Sequence, residues 1–227
     1  MDEYMNEQEQ WEYVRNWVRQ NGVWLLAGVA LASAGLWGWR SWQAHREAML
    51  LQAAAQYQQV LTTVGRNDLK AVIAAADKLS ADHPRTGYAD QAQLVAARMQ
   101  VERNDFAGAL ARLQKVESST RDDELKLVVR LRIARLQIEQ NRIDDALATL
   151  NAVQPGAFAG RYAEVRGDAL LAKGDKGGAL KAYREAQSAQ AAASASAAPN
   201  GNGAGGDHGG EHDGDLLALK INALTRS

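Results

Sequence analysis

The chain has 227 residues, a formal net charge of -1 and no cysteine. The near-zero charge does not indicate nucleic-acid binding, which needs a basic surface, and the lack of cysteine excludes disulfides, thiol nucleophiles and cysteine-rich zinc sites. Only three prolines and two phenylalanines occur, whereas Ala, Leu, Gln and Arg are abundant, a composition that favours packed helices over strands. We therefore predict an all-α protein.

A single membrane helix is predicted at residues 20–39. No charged residue lies between Arg19 and Arg40, and twenty helical residues cover about 30 Å, the thickness of a hydrocarbon core. All six tryptophans lie around this apolar run and none follows residue 42, as is typical of indole rings at a membrane interface. The run continues past the small residues at 30–34, so we expect a retained anchor rather than a cleaved signal peptide.

Small residues form a stripe on one face of this predicted helix. Gly28, Ala32 and Gly35 fall at i, i+4 and i+7. Because small residues let helices approach closely in lipid, this face is a candidate docking surface for another membrane helix, although Gly and Ala are also common in membrane spans. Two basic residues flank the span on each side, so charge alone leaves the orientation open.

Residues 40–187 alternate helical stretches with short polar turns, in which Asn or Gly can end one helix and Asp can cap the next. The turns lie at residues 65–68, 103–105, 140–142 and 173–175. Small residues that let paired helices pack closely follow them at Ala71, Ala109, Ala146 and Ala179, and Gly167 is a second small position in the last unit. The alanine spacings of 38, 37 and 33 are close to the roughly 34-residue period of tetratricopeptide repeats. We therefore predict a tetratricopeptide-like α-solenoid that presents a surface for a peptide or helix.

Apolar residues at helical spacing support two further helices. In the run from Leu125 to Ile138, one face carries Leu127, Leu131, Ala134 and Ile138, while Arg130, Arg132 and Arg135 lie elsewhere. At residues 216–227 the same spacing recurs in Leu217, Ile221 and Leu224. We expect this terminal helix to fold back and cover the exposed edge of the last repeat, as capping helices do in solenoids.

Residues 188–215 are Ala/Ser-rich and then Gly-rich, without apolar periodicity, and are predicted to be a flexible insertion. The insertion contains six possible metal ligands, Asp207, His208, Glu211, His212, Asp213 and Asp215. Such a set can chelate a divalent metal, but a Gly-rich chain loses entropy when it forms a site. We therefore predict a linker, and no metal or cofactor site in the chain.

No catalytic residue is predicted either. No serine lies in a nucleophile-elbow context, and no phosphate-binding glycine loop occurs, because the glycine-rich residues 173–178 match a repeat turn. Four carboxylates fit helix starts, where the helix dipole favours negative charge: Asp122, Asp123, Asp144 and Asp145. The sequence thus indicates a protein-binding protein and not an enzyme.

Four motifs resemble the YfgM family, the ancillary subunits of the bacterial SecYEG translocon. Their sequences are GWRSWQAH, LRIARLQ, VRGDALLAKGD and LKIN, at residues 38–45, 131–137, 165–175 and 219–222. The order and spacing of the four motifs agree with that family. The resemblance covers nearly the whole chain outside residues 188–215.

This resemblance implies a single-pass type II protein of the bacterial inner membrane, with residues 1–19 in the cytoplasm and the repeats in the periplasm. It also implies three partners, which are the SecYEG translocon, the periplasmic chaperone PpiD and emerging secretory polypeptides. From the repeats alone, an adaptor for cell division or outer-membrane assembly is an alternative, because a fold does not fix its partner. A membrane-tethered enzyme or metal binder that uses residues 188–215 is a third hypothesis, and it predicts tight zinc or nickel binding.

Overall fold

The described part of the chain, residues 7–197 and 209–225 of a computed structural model, is helical and contains no strand. Its α-helices, numbered in chain order, are α1 Glu7–Gly65, α2 Leu69–Asp82, α3 Gly87–Glu102, α4 Phe106–Ser119, α5 Asp123–Glu139, α6 Ile143–Asn151, α7 Ala159–Ala172, α8 Lys176–Ala197 and α9 Gly209–Thr225. A 3-10 turn, Gly156–Phe158, precedes α7. The all-α prediction is confirmed.

Helix α1 is much longer than the predicted membrane helix. It runs unbroken to Gly65 because residues 40–64 contain no Pro or Gly and are rich in Ala, Leu and Gln, which favour helix. The predicted boundary after Trp39 is therefore not a helix end. Within α1, the stretch Arg19–Gly65 is long and apolar enough to cross a membrane by length and composition, and no residue of its most apolar window is buried.

The chain divides into two compact units, Met1–Ala54 and Ala55–Ser227. The last turns of α1 belong to the second unit and begin its helical repeats. There, Val60 is fully buried, and the Gln56 Nε2 donates a hydrogen bond of 3.0 Å to Oδ2 of Asp82 at the end of α2. The first repeat thus uses the end of the long helix as one of its two helices.

The four predicted turns share one backbone geometry. The residue at each bend has a positive φ, between 56° and 89°, a conformation that Asn and Gly adopt with least strain: Asn67, Asn104, Asn141 and Gly174. In the last three turns, the N–H of the following residue donates to the carbonyl five residues earlier, at 2.8 to 2.9 Å. This is the Schellman pattern that ends helices, so the turns fold as their composition predicts.

Aspartate caps the next helix at three of these four turns. Asp68, Asp105 and Asp175 each accept a hydrogen bond of 2.8 to 3.0 Å from the N–H three residues later, which satisfies one of the free amides at a helix start. In the third turn Arg142 takes this place, makes no cap bond and pairs with Asp145 at 2.7 Å. The capping prediction therefore holds wherever the sequence provides an aspartate.

Successive helices of the second unit pack on one another from α2 to α9, and α5 also contacts α7. Among the described residues, three core clusters are each built from one helical pair and the helix that follows it. They centre on Leu113 among α3, α4 and α5, on Tyr162 among α5, α6 and α7, and on Tyr183 among α7, α8 and α9. Each pair buries its apolar face only against its neighbours, which is the packing of a helical solenoid.

Helix α5 buries two faces rather than the one that its sequence indicates. The predicted face of Leu127, Leu131, Ala134 and Ile138 packs toward α6 and α7. A second set packs toward α3 and α4: Leu125, Val129, Ile133 and Leu136. The prediction was incomplete because α5 lies between two helical pairs, so its exposed surface is reduced to a narrow polar stripe.

The helices on both sides of the predicted insertion extend into it. Helix α8 continues to Ala197, well beyond residue 187, because the Ala-rich sequence there favours helix. Helix α9 begins at Gly209, earlier than the expected start at residue 216. Residues 198–208 lie outside the described ranges. The predicted limits of 188 and 215 are thus too wide.

Candidate protein-interaction groove

The predicted small residues lie at the contacts between paired helices, with one shift in register. Ala109, Ala146 and Ala179 are fully buried, and each lies four residues after the residue that follows the bend. In the first repeat the equivalent position, four residues after the residue that follows the bend, is Val72, which is fully buried. The predicted residue Ala71 is only partly buried. The structure therefore places Val72, not Ala71, at this position, because the helix start and not residue size sets the register.

Gly167 allows α7 and α8 to approach closely. A Cβ at this position would lie 2.5 Å from Cε1 of Tyr183, well inside the normal separation of carbon atoms. The Tyr183 ring is fully buried, and its hydroxyl donates a hydrogen bond of 2.8 Å to Oδ1 of Asp168. Burial, together with this hydrogen bond to a carboxylate, raises the pKa of Tyr183.

The predicted membrane face is exposed. Gly28, Ala32 and Gly35 all lie on the surface of α1, and a Cβ at either glycine would have no heavy atom within 4 Å. Trp24 and Trp37 are each exposed over more than three quarters of their surface. An apolar helix with this exposure suits contact with lipid or with another membrane helix.

A groove of about 500 Å³ lies in the second unit between α3 and α5. Its apolar lining consists of Leu94, Val95, Ala97, Val101, Leu113 and Leu136. The polar lining consists of Gln91, Arg98, Arg132, Arg135 and Glu139. On each helix these residues recur three or four positions apart, so they form one stripe per helix, and Leu113 of α4 lies between the two stripes. The groove thus combines an apolar surface with a cationic edge.

Two of the three groove arginines have no ion-pair partner in the described chain. Arg98 Nε pairs with the exposed Glu102 of the same helix at 2.9 Å, but no hydrogen bond or ion pair joins Arg132 or Arg135 to another described residue. Burial, together with repulsion from Arg135 and Arg98, lowers the pKa of Arg132. The guanidinium remains protonated, but its charge is poorly compensated.

Two other arginines of α4 and α5 are paired within the described chain. Arg130, on the opposite side of α5, pairs with Glu117 of α4. Arg112 of α4 pairs with Asp77 of α2 at 2.6 Å and also donates to Gln93 and Gln100. Arg130 lies directly before the sequence motif of residues 131–137, which contains Arg132 and Arg135. Only the tertiary contacts distinguish the paired arginine from the two without a partner in the described chain.

The carboxyl-terminal end of the second unit has a different surface. Lys220 of α9 forms ion pairs with Glu164 at 2.9 Å and Asp168 at 2.8 Å, both on α7. Burial alone would lower the pKa of Lys220, but hydrogen bonds and attraction from the two carboxylates outweigh it and raise that pKa. Leu217 is 1% exposed in the cluster with Tyr183. Helix α9 therefore covers the last repeat, as its apolar spacing predicts.

Among the residues whose side chains the structure describes, no group of three or more His, Asp or Glu is arranged to hold an ion. Five of the six predicted metal ligands fall outside this set: Asp207, His208, Glu211, His212 and Asp213. The carboxylates at helix starts have structural contacts: Asp122 caps α5, Asp123 pairs with Lys126, Asp144 with Lys173 and Asp145 with Arg142.

Comparison with known proteins identifies both the fold and close relatives. A family model described as a tetratricopeptide repeat-like domain matches residues 15–199. Three relatives carry the name ancillary SecYEG translocon subunit. The protein from Escherichia coli K12 is 36% identical over 81% of this chain and 88% of its own length. Those from Haemophilus influenzae and Aggregatibacter actinomycetemcomitans are 32% and 31% identical over 81% of this chain and 89% of their own lengths.

Among solved structures, the chain is similar to one titled MamA RS-1 ArsTM double mutant. The match covers 77% of this chain and 94% of that chain, with 14% identity and a TM-score of 0.49.

Proposed function

The chain belongs to the family of ancillary SecYEG translocon subunits and carries its tetratricopeptide repeat-like domain, and on this premise we propose that it links the Sec translocon to a periplasmic chaperone. The family is non-catalytic. In this proposal α1 anchors the chain in the inner membrane, and the second unit contacts a chaperone such as PpiD and emerging secretory polypeptides. The single observation that carries the proposal is that the described chain contains both an exposed apolar helix and a repeat unit with an open groove.

The membrane helix supports contact with the translocon through its small-residue face. Gly28, Ala32 and Gly35 leave backbone exposed, and such faces let membrane helices pack closely. Leu26 and Trp37 lie on the opposite side of the helix by their spacing. We propose that the first face contacts a translocon helix and that the second faces lipid.

Photocrosslinking in intact membranes tests this proposal at both ends. A photoreactive residue at Gly28 should capture translocon subunits, whereas the same residue at Leu26 should capture far less. A photoreactive residue at Gln91, on the edge of the groove, should capture a periplasmic chaperone or a secretory polypeptide. Recovery of neither translocon nor chaperone from any position would contradict the proposed function.

The proposed orientation has a direct test because the natural chain has no cysteine. A single cysteine replacing the exposed Ser118 in the repeats should react with a membrane-impermeant maleimide added to cells with a permeabilised outer membrane. A cysteine replacing Asn6 should react only after the inner membrane is opened. The reverse pattern would exclude a cytoplasmic amino terminus and periplasmic repeats.

A further inference from the structure

We propose that the groove between α3 and α5 binds an acidic segment of a partner polypeptide, with an apolar side chain in the groove and carboxylates on Arg132 and Arg135. This inference rests on the proposed function, because it assigns a chemistry to the polypeptide that the repeats contact. It names a binding surface, its two anchoring arginines and the class of ligand.

The apolar half of the groove requires an apolar anchor in the ligand. Leu94, Leu113 and Leu136 line the groove as buried members of the core cluster of α3, α4 and α5. Val95 and Val101 line it as partly exposed side chains, so they present apolar surface that is continuous with the core. Protein–protein interfaces typically combine an apolar core with a polar rim. A leucine-sized side chain would remove this surface from water.

The polar half of the groove favours a ligand with negative charge. Of its four charged side chains three are arginines, and the fourth, Glu139, forms no ion pair within the described chain. Arg98 is already engaged by Glu102, which leaves Arg132 and Arg135 one helical turn apart on α5. The lowered pKa of Arg132 reflects its desolvation and the repulsion from the other two arginines, and a carboxylate ligand would relieve that repulsion.

The geometry of the guanidinium group favours a carboxylate as the negatively charged group of the ligand. Arginine presents paired donors that match the two oxygens of Asp or Glu, and such charge-assisted hydrogen bonds are stronger than neutral ones. The chain uses this chemistry internally where Arg112 meets Asp77 and Arg130 meets Glu117. The groove offers the same donors without an acceptor among the described residues, so in this proposal the acceptor comes from the partner.

The test uses the full chain in nanodiscs of phosphatidylcholine, which carries no net charge. The probe is a short fluorescent peptide in which glutamates flank leucines, and the matched probe replaces each glutamate with lysine. Fluorescence anisotropy should show binding of the glutamate peptide and none of the lysine peptide. The double variant Arg132→Gln/Arg135→Gln should weaken binding by at least about tenfold, the loss expected for hydrogen bonds to charged groups.

Arg161→Gln supplies the matched control, because Arg161 is exposed on α7 and does not line the groove. This variant should bind the glutamate peptide as tightly as the natural chain. Circular dichroism of each variant checks that the helices remain folded. Equal binding of the two peptides, unchanged binding by the double variant, or no binding of the glutamate peptide would each overturn the proposal.

Two other occupants give distinct results. Arginine-dependent binding to phosphatidylglycerol vesicles without peptide binding would assign the groove to lipid headgroups. A dimer of the natural chain that becomes a monomer in the double variant would assign the groove to a second copy. Either result overturns the assignment to a partner polypeptide.

Recovery of translocon subunits with the natural chain and with the double variant separates this inference from the proposed function. Because the substitutions leave α1 unchanged, both chains should recover the translocon. Normal recovery without peptide binding would refute only the groove assignment. Failure of the natural chain to recover the translocon would refute the proposed function, whatever the peptide result.

Discussion

One position of the helical repeat has opposite roles in two regions of the second unit. The first region is the groove between α3 and α5, and the second is the carboxyl-terminal end that α9 covers. This position lies six residues before the left-handed residue that ends the helix. It is occupied by Arg98 in α3, Arg135 in α5 and Asp168 in α7. Asp168 meets Lys220 of the covering helix at 2.8 Å. Arg135 has no such partner in the described chain.

This difference shows that the next helix decides what a repeat position does. Where α9 packs over α7, Asp168 and Glu164 become acceptors for Lys220 and contribute to the stability of the fold. Between α3 and α5 an open groove remains, so the charges there are available for binding. The comparison predicts that substitutions at the covered end reduce stability, whereas substitutions in the groove reduce binding.

The largest effect is expected from Leu217→Ala, which would break the covered end. Leu217 is 1% exposed, and truncation of a buried leucine costs about 2–5 kcal/mol. Urea unfolding of the full chain, followed by circular dichroism, should show this loss, and hydrogen exchange should show faster exchange in α9. Leu216→Ala is the control, since Leu216 is 56% exposed. Equal losses in the two variants would mean that α9 is not docked through Leu217.

A smaller loss is expected from Gly167→Ala, because the added Cβ would collide with the Tyr183 ring. Overpacking costs about 1–3 kcal/mol, and the better helix propensity of alanine offsets up to about 1 kcal/mol of that cost. Gly87→Ala is the control, because Gly87 is also helical and a Cβ added there would have no heavy atom within 4 Å. This variant should be neutral or stabilising in the same urea titration. A Gly167→Ala variant as stable as its control would refute the close approach of α7 and α8.

The ion pairs of α9 should contribute less. Lys220→Met removes the partner of two carboxylates and should lower the free energy of unfolding by about 1–2 kcal/mol. Because the pKa of Lys220 is raised in the folded chain, its contribution is present below the ordinary lysine pKa of about 10.4 and is lost as pH rises through the folded pKa. Lys181→Met, at an exposed position on α8, should change neither stability nor its pH dependence.

The smallest effect on stability is expected in the groove. Arg132→Gln removes a charge that is repelled by Arg98 and Arg135, so the free energy of unfolding should stay within about 0.5 kcal/mol or rise slightly. Arg130→Gln on the same helix breaks a pair with Glu117 and should cost about 1–2 kcal/mol. A large loss for Arg132→Gln would show that the groove charge is structural and would erase the contrast between the two regions.

Several features of the fold were predictable from the sequence because they depend on neighbours in the chain. The left-handed bends at Asn104 and Asn141 and the caps from Asp105 and Asp175 follow from the local preferences of Asn and Asp. The burial of Leu217 follows from apolar spacing along one helix. Each of these signals spans only a few residues.

The candidate groove was not predictable in the same way. Its edges come from α3 and α5, some 37 residues apart in the chain, and single-helix spacing does not indicate which stripes will face each other. The motif of residues 131–137 contains both groove arginines. These arginines lie six and nine residues before Asn141. This spacing indicates that Arg135 matches Arg98 of the preceding repeat only when the repeats are aligned on their left-handed bends.

The sequence by itself determined that the chain is all-helical, that one helix is apolar enough to span a membrane, and that four turns divide the remainder into repeats. These properties arise from spacing and composition within a few turns of chain. Only the tertiary structure decided that Val72 rather than Ala71 packs in the first repeat and that α5 is buried on two faces. It also decided that Arg132 and Arg135 have no ion-pair partner in the described part of the chain. Burial and ion pairing join residues far apart in the chain, as Lys220 and Glu164 are, so they depend on how the helices stack.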